Sequence, residues 1–173
     1  LIWPLFVTEG NNIIEPVEAM PGVSRYSIDR LLDQAATAVK LTIPAIAVFP
    51  SINAALKDNR GSLSFLEGSN HVPFDIKRIY YISEVPKFSD RGNHAHKKLK
   101  QIFIAISGAF DIKLDDGNFS KVFHLNSKNK GLYICPMIWR RMYNFSSDCT
   151  CLVLASERYH EDDYIWNYSD FKK

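Results

Sequence analysis

From residue 61 onward the chain carries no apolar period of 3.6 residues, and this constrains its fold more than any other feature. The runs Ser62–Leu66, Ile76–Ile82, Gln101–Ile106, Phe110–Leu114, Lys121–Leu125, Gly131–Cys135 and Thr150–Ala155 are short and rich in β-branched and aromatic residues. Turn signals separate them, and Asp115-Asp116-Gly117-Asn118 reads as a hairpin turn. Closely spaced strands with no helices between them imply a sandwich or barrel. Only the tail, Glu161–Phe171, carries a weak helical pattern.

The first third reads differently. Leu5–Val7 is a strand-like run after Pro4, and a polar loop follows, ending in Pro21-Gly22. Ser27 is a candidate N-cap, and Ile28, Leu31, Leu32, Ala35, Ala38 and Val39 recur at helical spacing. Pro44–Phe49 is a continuous apolar strand closed by Pro50. Strand, helix and continuous strand make a βαβ unit of the kind parallel sheets use. Alone, such a unit cannot cover both faces of its strands. It needs more sheet, a partner chain or the β-rich part to dock on. The expected organisation is therefore a non-autonomous βαβ fragment over 1–57 and a mainly β domain over 58–173.

Charge narrows the partners. The chain has 21 basic and 19 acidic residues, a net charge of +2. That is too weak a field to make nucleic acid or a membrane surface the main partner. No apolar run approaches the roughly 20 residues that span a bilayer. The opening residues lack a basic n-region, so no signal peptide is expected. Cys135, Cys149 and Cys151 are odd in number and show no CxxC spacing. They read as reduced thiols of a cytoplasmic protein.

The chemistry concentrates in Arg91-Gly92-Asn93-His94-Ala95-His96-Lys97-Lys98. On a strand, residues two apart face the same way, so His94 and His96 are expected to project into one cavity, with Ala95 opposite. Two neutral imidazoles suit proton transfer next to a carbonyl, because their ordinary pKa lies near neutrality. The competing reading makes both of them core or rim histidines bonded to backbone.

The spacing resembles the first cupin motif, with Gln101 where that motif has a glutamate and Gly108 closing it. The stretch matching the second motif, Gly131 to Arg140, contains no histidine. Two histidines without the carboxylate are too few ligands for the usual cupin metal, so no metal and no cofactor are expected. His124 or His71 would have to be recruited for a metal-dependent alternative.

Further stretches sharpen the resemblance: Asp58–Leu63, Ile76–Ile82, Arg91–Lys98, Leu114–Gly117, Gly131–Tyr133, Pro136–Met142, Val153–Glu157, Asp163–Ile165 and Tyr168–Phe171. Together they make residues 58–173 similar to the dTDP-4-dehydro-6-deoxyglucose 3,4-ketoisomerases. The resemblance implies a cupin, a double-stranded β-helix or jelly roll. It also implies a metal-independent homodimer acting on a dTDP-linked keto-sugar. His94 would move the proton between sugar carbons C3 and C4, and His96 would assist. Candidate substrate contacts are Arg60, Arg91 and Arg140 for the pyrophosphate, whose oxygens suit a planar guanidinium. Tyr80 and Trp139 are candidates for the sugar or base, and Arg78 is a further basic candidate. Arg141 stands where the family often has a glutamate. A non-catalytic nucleotide-sugar-binding module is the alternative from another class.

Residues 1–56 resemble a different family. Leu1–Gly10, Glu18–Val23 and Pro44–Pro50 are similar to the start of porphobilinogen synthase, a TIM-barrel enzyme. That enzyme's catalytic region lies beyond this stretch, so the resemblance implies a borrowed fragment and no dehydratase activity.

Overall fold

The computed structural model describes residues 2–8, 10–17, 21–41, 45–50, 55–68 and 71–173. Strands β1 (Ile2–Val7), β2 (Ile14–Pro16), β3 (Ser24–Tyr26) and β4 (Ala45–Pro50) form one sheet in the order β2-β3-β1-β4. Helix α1 (Ile28–Lys40) connects β3 to β4, and β1 runs parallel to both. The expected βαβ unit is present, with β2 and β3 added from what reads as polar loop. The Ser27 carbonyl accepts the Leu31 amide and starts the helix. Its hydroxyl instead accepts the Ile13 amide at 2.9 Å, tying the helix to the preceding loop. Ala38 is buried with Leu5 and Val7, whereas Leu32 is 70% exposed and lies off the packed face.

A short hairpin follows, β5 (Ala55–Asp58) and β6 (Gly61–Ser64), paired only to itself among the described residues. The remaining strands form two facing sheets. The first contains β7 (Arg78–Ser83), β9 (Gln101–Ser107), β12 (Gly131–Ile134) and β14 (Thr150–Ala155), in the order β12-β9-β14-β7. The second contains β8 (Arg91–His96), β10 (Phe110–Asp115), β11 (Ser120–Leu125), β13 (Trp139–Tyr143) and β15 (Tyr164–Ile165), in the order β11-β10-β13-β8-β15. This is the two-sheet jelly roll of a cupin, with β4 lying beside its edge strand β12.

Alternation explains the core. Phe110, Ile112 and Leu114 of β10 point inward with Phe103, Leu132, Met142 and Val153. Each such side chain contributes about 1.5–3 kcal/mol on burial. A second cluster, Val72, Phe74, Ile102, Ile104 and Leu154, covers the outer face of the first sheet. Among the described residues no strand pairs with the opposite edge, β7, and its outward Ile79 and Tyr81 are 60% and 71% exposed.

The tail departs from the helical expectation. It forms a single 3-10 turn (Glu161–Asp163), then β15, then α2, a four-residue helix (Tyr168–Phe171). Phe171 is buried, and Trp139 meets the rings of Tyr168 and Phe171 at 5.2 and 5.8 Å. The Tyr168 hydroxyl donates to Asp115 at 3.0 Å. Tertiary docking, rather than local propensity, holds this segment in place.

Candidate active site

The site is built on the pairing of β8 with β13. Their register shifts between Arg140 and Arg141, placing Arg140 directly opposite His94 and Arg141 opposite Gly92. The intervening Asn93 takes a positive φ of 56°. At Gly92, with φ of 91°, a Cβ would meet the Arg140 carbonyl oxygen at 2.8 Å, so only glycine fits this close approach.

Past this bulge the two-residue period holds. His94 and His96 share one side of the sheet, with ring centroids 4.8 Å apart at 80°. Ala95 is buried on the other side. His94 lines a cleft of about 730 Å³, and His96 lies behind it, 1% exposed.

Hydrogen bonds fix both tautomers. His94 Nδ1 lies 3.0 Å from the Gly92 carbonyl oxygen, which can only accept, so Nδ1 carries the hydrogen. His96 Nδ1 lies 3.1 Å from Asp163 Oδ2 and donates to that carboxylate. Each ring therefore keeps a bare Nε2. Burial, reinforced by the Arg140 charge, pushes His94 down to about 4. The same causes, in the same order, push His96 down further. Both imidazoles are neutral at pH 7.

The facing sheet supplies Tyr80 and Gln101. Gln101 Nε2 donates to the Tyr80 hydroxyl at 2.7 Å, leaving the phenolic hydrogen free to point elsewhere. Burial pushes Tyr80 up to about 12, so it remains a hydrogen donor. Arg78, Arg91 and Arg140 also line the cleft. Arg78 lies over the rings of Tyr80 and Tyr159, at 5.3 and 5.7 Å.

Two sequence candidates lie elsewhere. Arg60 sits in the β5–β6 turn, where its guanidinium pairs with Asp58, and it does not line the cleft. Trp139 cannot share the cavity face with Arg140, because adjacent strand residues face opposite ways. Trp139 instead seats α2. Arg141 also points outward and donates to Asp90 at 2.7 Å on the rim of the cleft.

Sequence reasoning missed Asp163, Tyr164 and Trp166. Asp163 accepts from His96 and from the amides of Lys98 and Leu99. The rings of Tyr164 and Trp166 stack at 4.7 Å and line the cleft beside His94. Asp163 and Tyr164 belong to the stretch Asp163–Ile165 that carries the resemblance, and this was the available signal.

For a metal, His94 and His96 offer two imidazole nitrogens, and the groups around them that line the cleft, a guanidinium, an amide and a phenol, repel a cation or ligate it weakly. His124 pairs with Asp111 at 2.7 Å, and neither it nor His71 lines the cleft. Among the described residues no three His, Cys, Asp or Glu side chains gather into a ligand set. Among the same residues, no helix is long and apolar enough to cross a membrane.

Two family models match the chain. The family described as FdtA: WxcM-like, C-terminal, matches residues 44–173, and Delta-aminolevulinic acid dehydratase matches residues 1–82. The chain is 47% identical over 116 residues to the TDP-4-oxo-6-deoxy-alpha-D-glucose-3,4-oxoisomerase of Aneurinibacillus thermoaerophilus, covering 67% of this chain and 84% of that protein. It is 52% identical over 62 residues to the Delta-aminolevulinic acid dehydratase of Bradyrhizobium diazoefficiens, covering 36% of this chain but only 18% of that enzyme. Among solved structures, WlaRA, a TDP-fucose-3,4-ketoisomerase from Campylobacter jejuni, superposes with a TM-score of 0.70 at 40% identity, over 73% of this chain and 93% of that one. A histidine-to-asparagine mutant of the 3,4-ketoisomerase QdtA from Thermoanaerobacterium thermosaccharolyticum, in complex with TDP-4-keto-6-deoxyglucose, gives 0.71 at 42% identity, over 73% and 91%.

Proposed function

Because this chain belongs, through residues 44–173, to the family described as FdtA: WxcM-like, C-terminal, we propose that it is an isomerase moving the keto group of a dTDP-4-keto-6-deoxyhexose from C4 to C3. One observation carries the reading. Two neutral imidazoles sit side by side with both Nδ1 atoms committed as donors, leaving two bare Nε2 atoms to accept and return protons.

The reaction needs two proton movements, one between carbons and one between oxygens. His94 Nε2, on the cleft wall, takes the C3 proton and returns it at C4. His96, behind it, is the relay for the hydroxyl proton that passes from O3 to O4. Tyr80 donates a hydrogen bond to a sugar oxygen, its own oxygen being held by Gln101. Asp163 is a positioning residue that keeps the His96 hydrogen on Nδ1. Arg78 and Arg91 serve the pyrophosphate, and the exposed Trp166 at the mouth serves the base or sugar. The resemblance of this chain to TDP-bound relatives supports a nucleotide-linked sugar as the substrate. No metal or redox cofactor takes part in this scheme.

The exposed apolar edge of β7 supports a homodimer. The contact of β4 with β12 supports reading the amino-terminal unit as an appendage of the cupin rather than an autonomous domain.

The test is incubation of the EDTA-treated protein with TDP-4-keto-6-deoxyglucose in deuterated water. A 3-keto product carrying deuterium at C4 is expected when the shuttled proton exchanges with solvent. Product without label means a shielded transfer. Neither product nor label, with TDP still bound, identifies a nucleotide-sugar-binding module and ends the isomerase reading.

A further inference from the structure

The strand that carries both histidines breaks its own regularity immediately before the first of them. Gly92 and Asn93 are consecutive left-handed residues, at φ of 91° and 56°, and Asn93 is the extra residue that shifts the pairing of β8 with β13. A residue with a side chain keeps such a backbone only where its surroundings determine it more than once. Asparagine tolerates this region better than most residues, which accounts for the residue type but not for what holds it.

On the sheet side the hold is the close approach of Gly92 to the backbone of β13. On the outer side it is Asp90. Arg141 Nε donates to Asp90 Oδ2 at 2.7 Å. Hydrogen bonds from Arg141, and then from the Asn93 side chain, hold the Asp90 carboxyl below the usual carboxylate range. One carboxylate thus joins the extra residue of β8 to the residue of β13 that lies opposite Gly92. Arg141 is itself steadied, its guanidinium carbon standing 5.4 Å from the centre of the Tyr143 ring. The side chains of Asp90 and Arg141 are 37% and 55% exposed, and pairs so wetted add little to global stability. Local geometry is what this pair controls.

That geometry reaches the chemistry through one carbonyl. The Gly92 oxygen lies 3.0 Å from His94 Nδ1, and this bond puts the ring hydrogen on Nδ1 and leaves Nε2 bare. The direction of the carbonyl is set by the torsions between Gly92 and Asn93, the ones the bulge makes unusual. We propose that Asp90 and Arg141 are positioning residues: by locking the Gly92–Asn93 bulge they hold the Gly92 carbonyl against His94 Nδ1 and keep Nε2 ready to accept a proton. When the bulge relaxes towards a regular strand, the carbonyl turns into the plane of the sheet and Nδ1 loses its acceptor. The ring is then free to carry its hydrogen on Nε2, and a nitrogen that already bears a hydrogen cannot serve as the base. For its effect on rate the proposal rests on the isomerase reading; for its effect on the ring it does not.

Asp90→Ala and Arg141→Met each break the pair from one side. Both should lower kcat on TDP-4-keto-6-deoxyglucose by about 10-fold, part of what a positioned base contributes, with TDP affinity unchanged. Nitrogen NMR should show the His94 hydrogen shifting from Nδ1 towards Nε2 in both, a change that lost stability alone does not produce. The double variant should lose no more than either single one, because both act through one contact. Asp90→Arg combined with Arg141→Glu rebuilds the pair with its charges exchanged. The Asn93 amide can accept from an arginine as readily as it donates to a carboxylate, so rate and tautomer should both recover. Wild-type kcat and an unmoved His94 signal in the single variants overturn the proposal. So does a fall in TDP affinity with the His94 signal unmoved, which makes the pair a support for the neighbouring Arg91. A wild-type protein that makes no product removes the isomerase reading, and the NMR of the same variants still decides whether the pair holds the ring.

Discussion

Asp163 Oδ2 lies 3.1 Å from His96 Nδ1, joining the chain's tail to a histidine 67 residues earlier. The same carboxylate accepts the Lys98 amide at 2.8 Å and the Leu99 amide at 3.3 Å. Its two oxygens are therefore fixed as acceptors before the imidazole is considered. Asp163→Asn puts an amide nitrogen into this set of donors, so one contact becomes donor against donor. The ring of His96 then has reason to turn or change tautomer. We expect kcat to fall by about 100-fold, within the range that positioned proton transfer contributes, with TDP affinity retained. Nitrogen NMR of the imidazoles reads the tautomer directly, and an unchanged His96 signal with unchanged kcat would remove the positioning role.

His94→Asn keeps a polar side chain but removes the base. Turnover should fall by about 1,000-fold or more, while TDP binds as before. Loss of TDP binding in step with activity would make His94 a ligand contact, not a proton carrier.

Acid should destabilise the protein through its histidines. Folded His94 titrates near 4 against an ordinary 6.5. Between these values the unfolded chain binds a proton that the folded chain does not. The contribution is complete above pH 6.5 and is lost progressively as the pH falls towards 4. Urea unfolding between pH 7 and 4 should show a slope that becomes shallower in His94→Asn. An identical slope in the variant would mean that this ring does not titrate as its surroundings imply.

Phe171 lies far from the chemistry, but it anchors the segment that carries Asp163. Phe171→Ala empties a buried site against Trp139 and should cost about 3 kcal/mol. If the tail acts as a strap on His96, kcat should drop as well, with TDP affinity less affected. Full activity in a measurably destabilised variant would separate stability from the strap.

The legible part of the site was local. His94 and His96 follow from a two-residue period on one strand, and the βαβ unit from the change of period near residue 57. Asp163 was not legible, because a short acidic turn says nothing about where the chain will place it. The environment of Arg140 was hidden for a related reason: its isolation depends on strands 46 residues apart. The misplacement of Trp139 was avoidable. Once Arg140 faces inward, strand alternation sends Trp139 and Arg141 outward, as found. The placement of Arg60 depended on a hairpin that stands apart from both cupin sheets, and no periodicity encodes that.

The two flanks of the sheet β12-β9-β14-β7 are treated unequally: β4 lies against one, and nothing among the described residues covers the other. A sheet bare on both sides can recruit copies end over end without limit, whereas one bare on a single side closes after the first. On that argument, the amino-terminal unit is expected to act as a stopper. Trimming the chain back to residue 58 would expose a second sticky margin, and turbidity or fibre growth would report it.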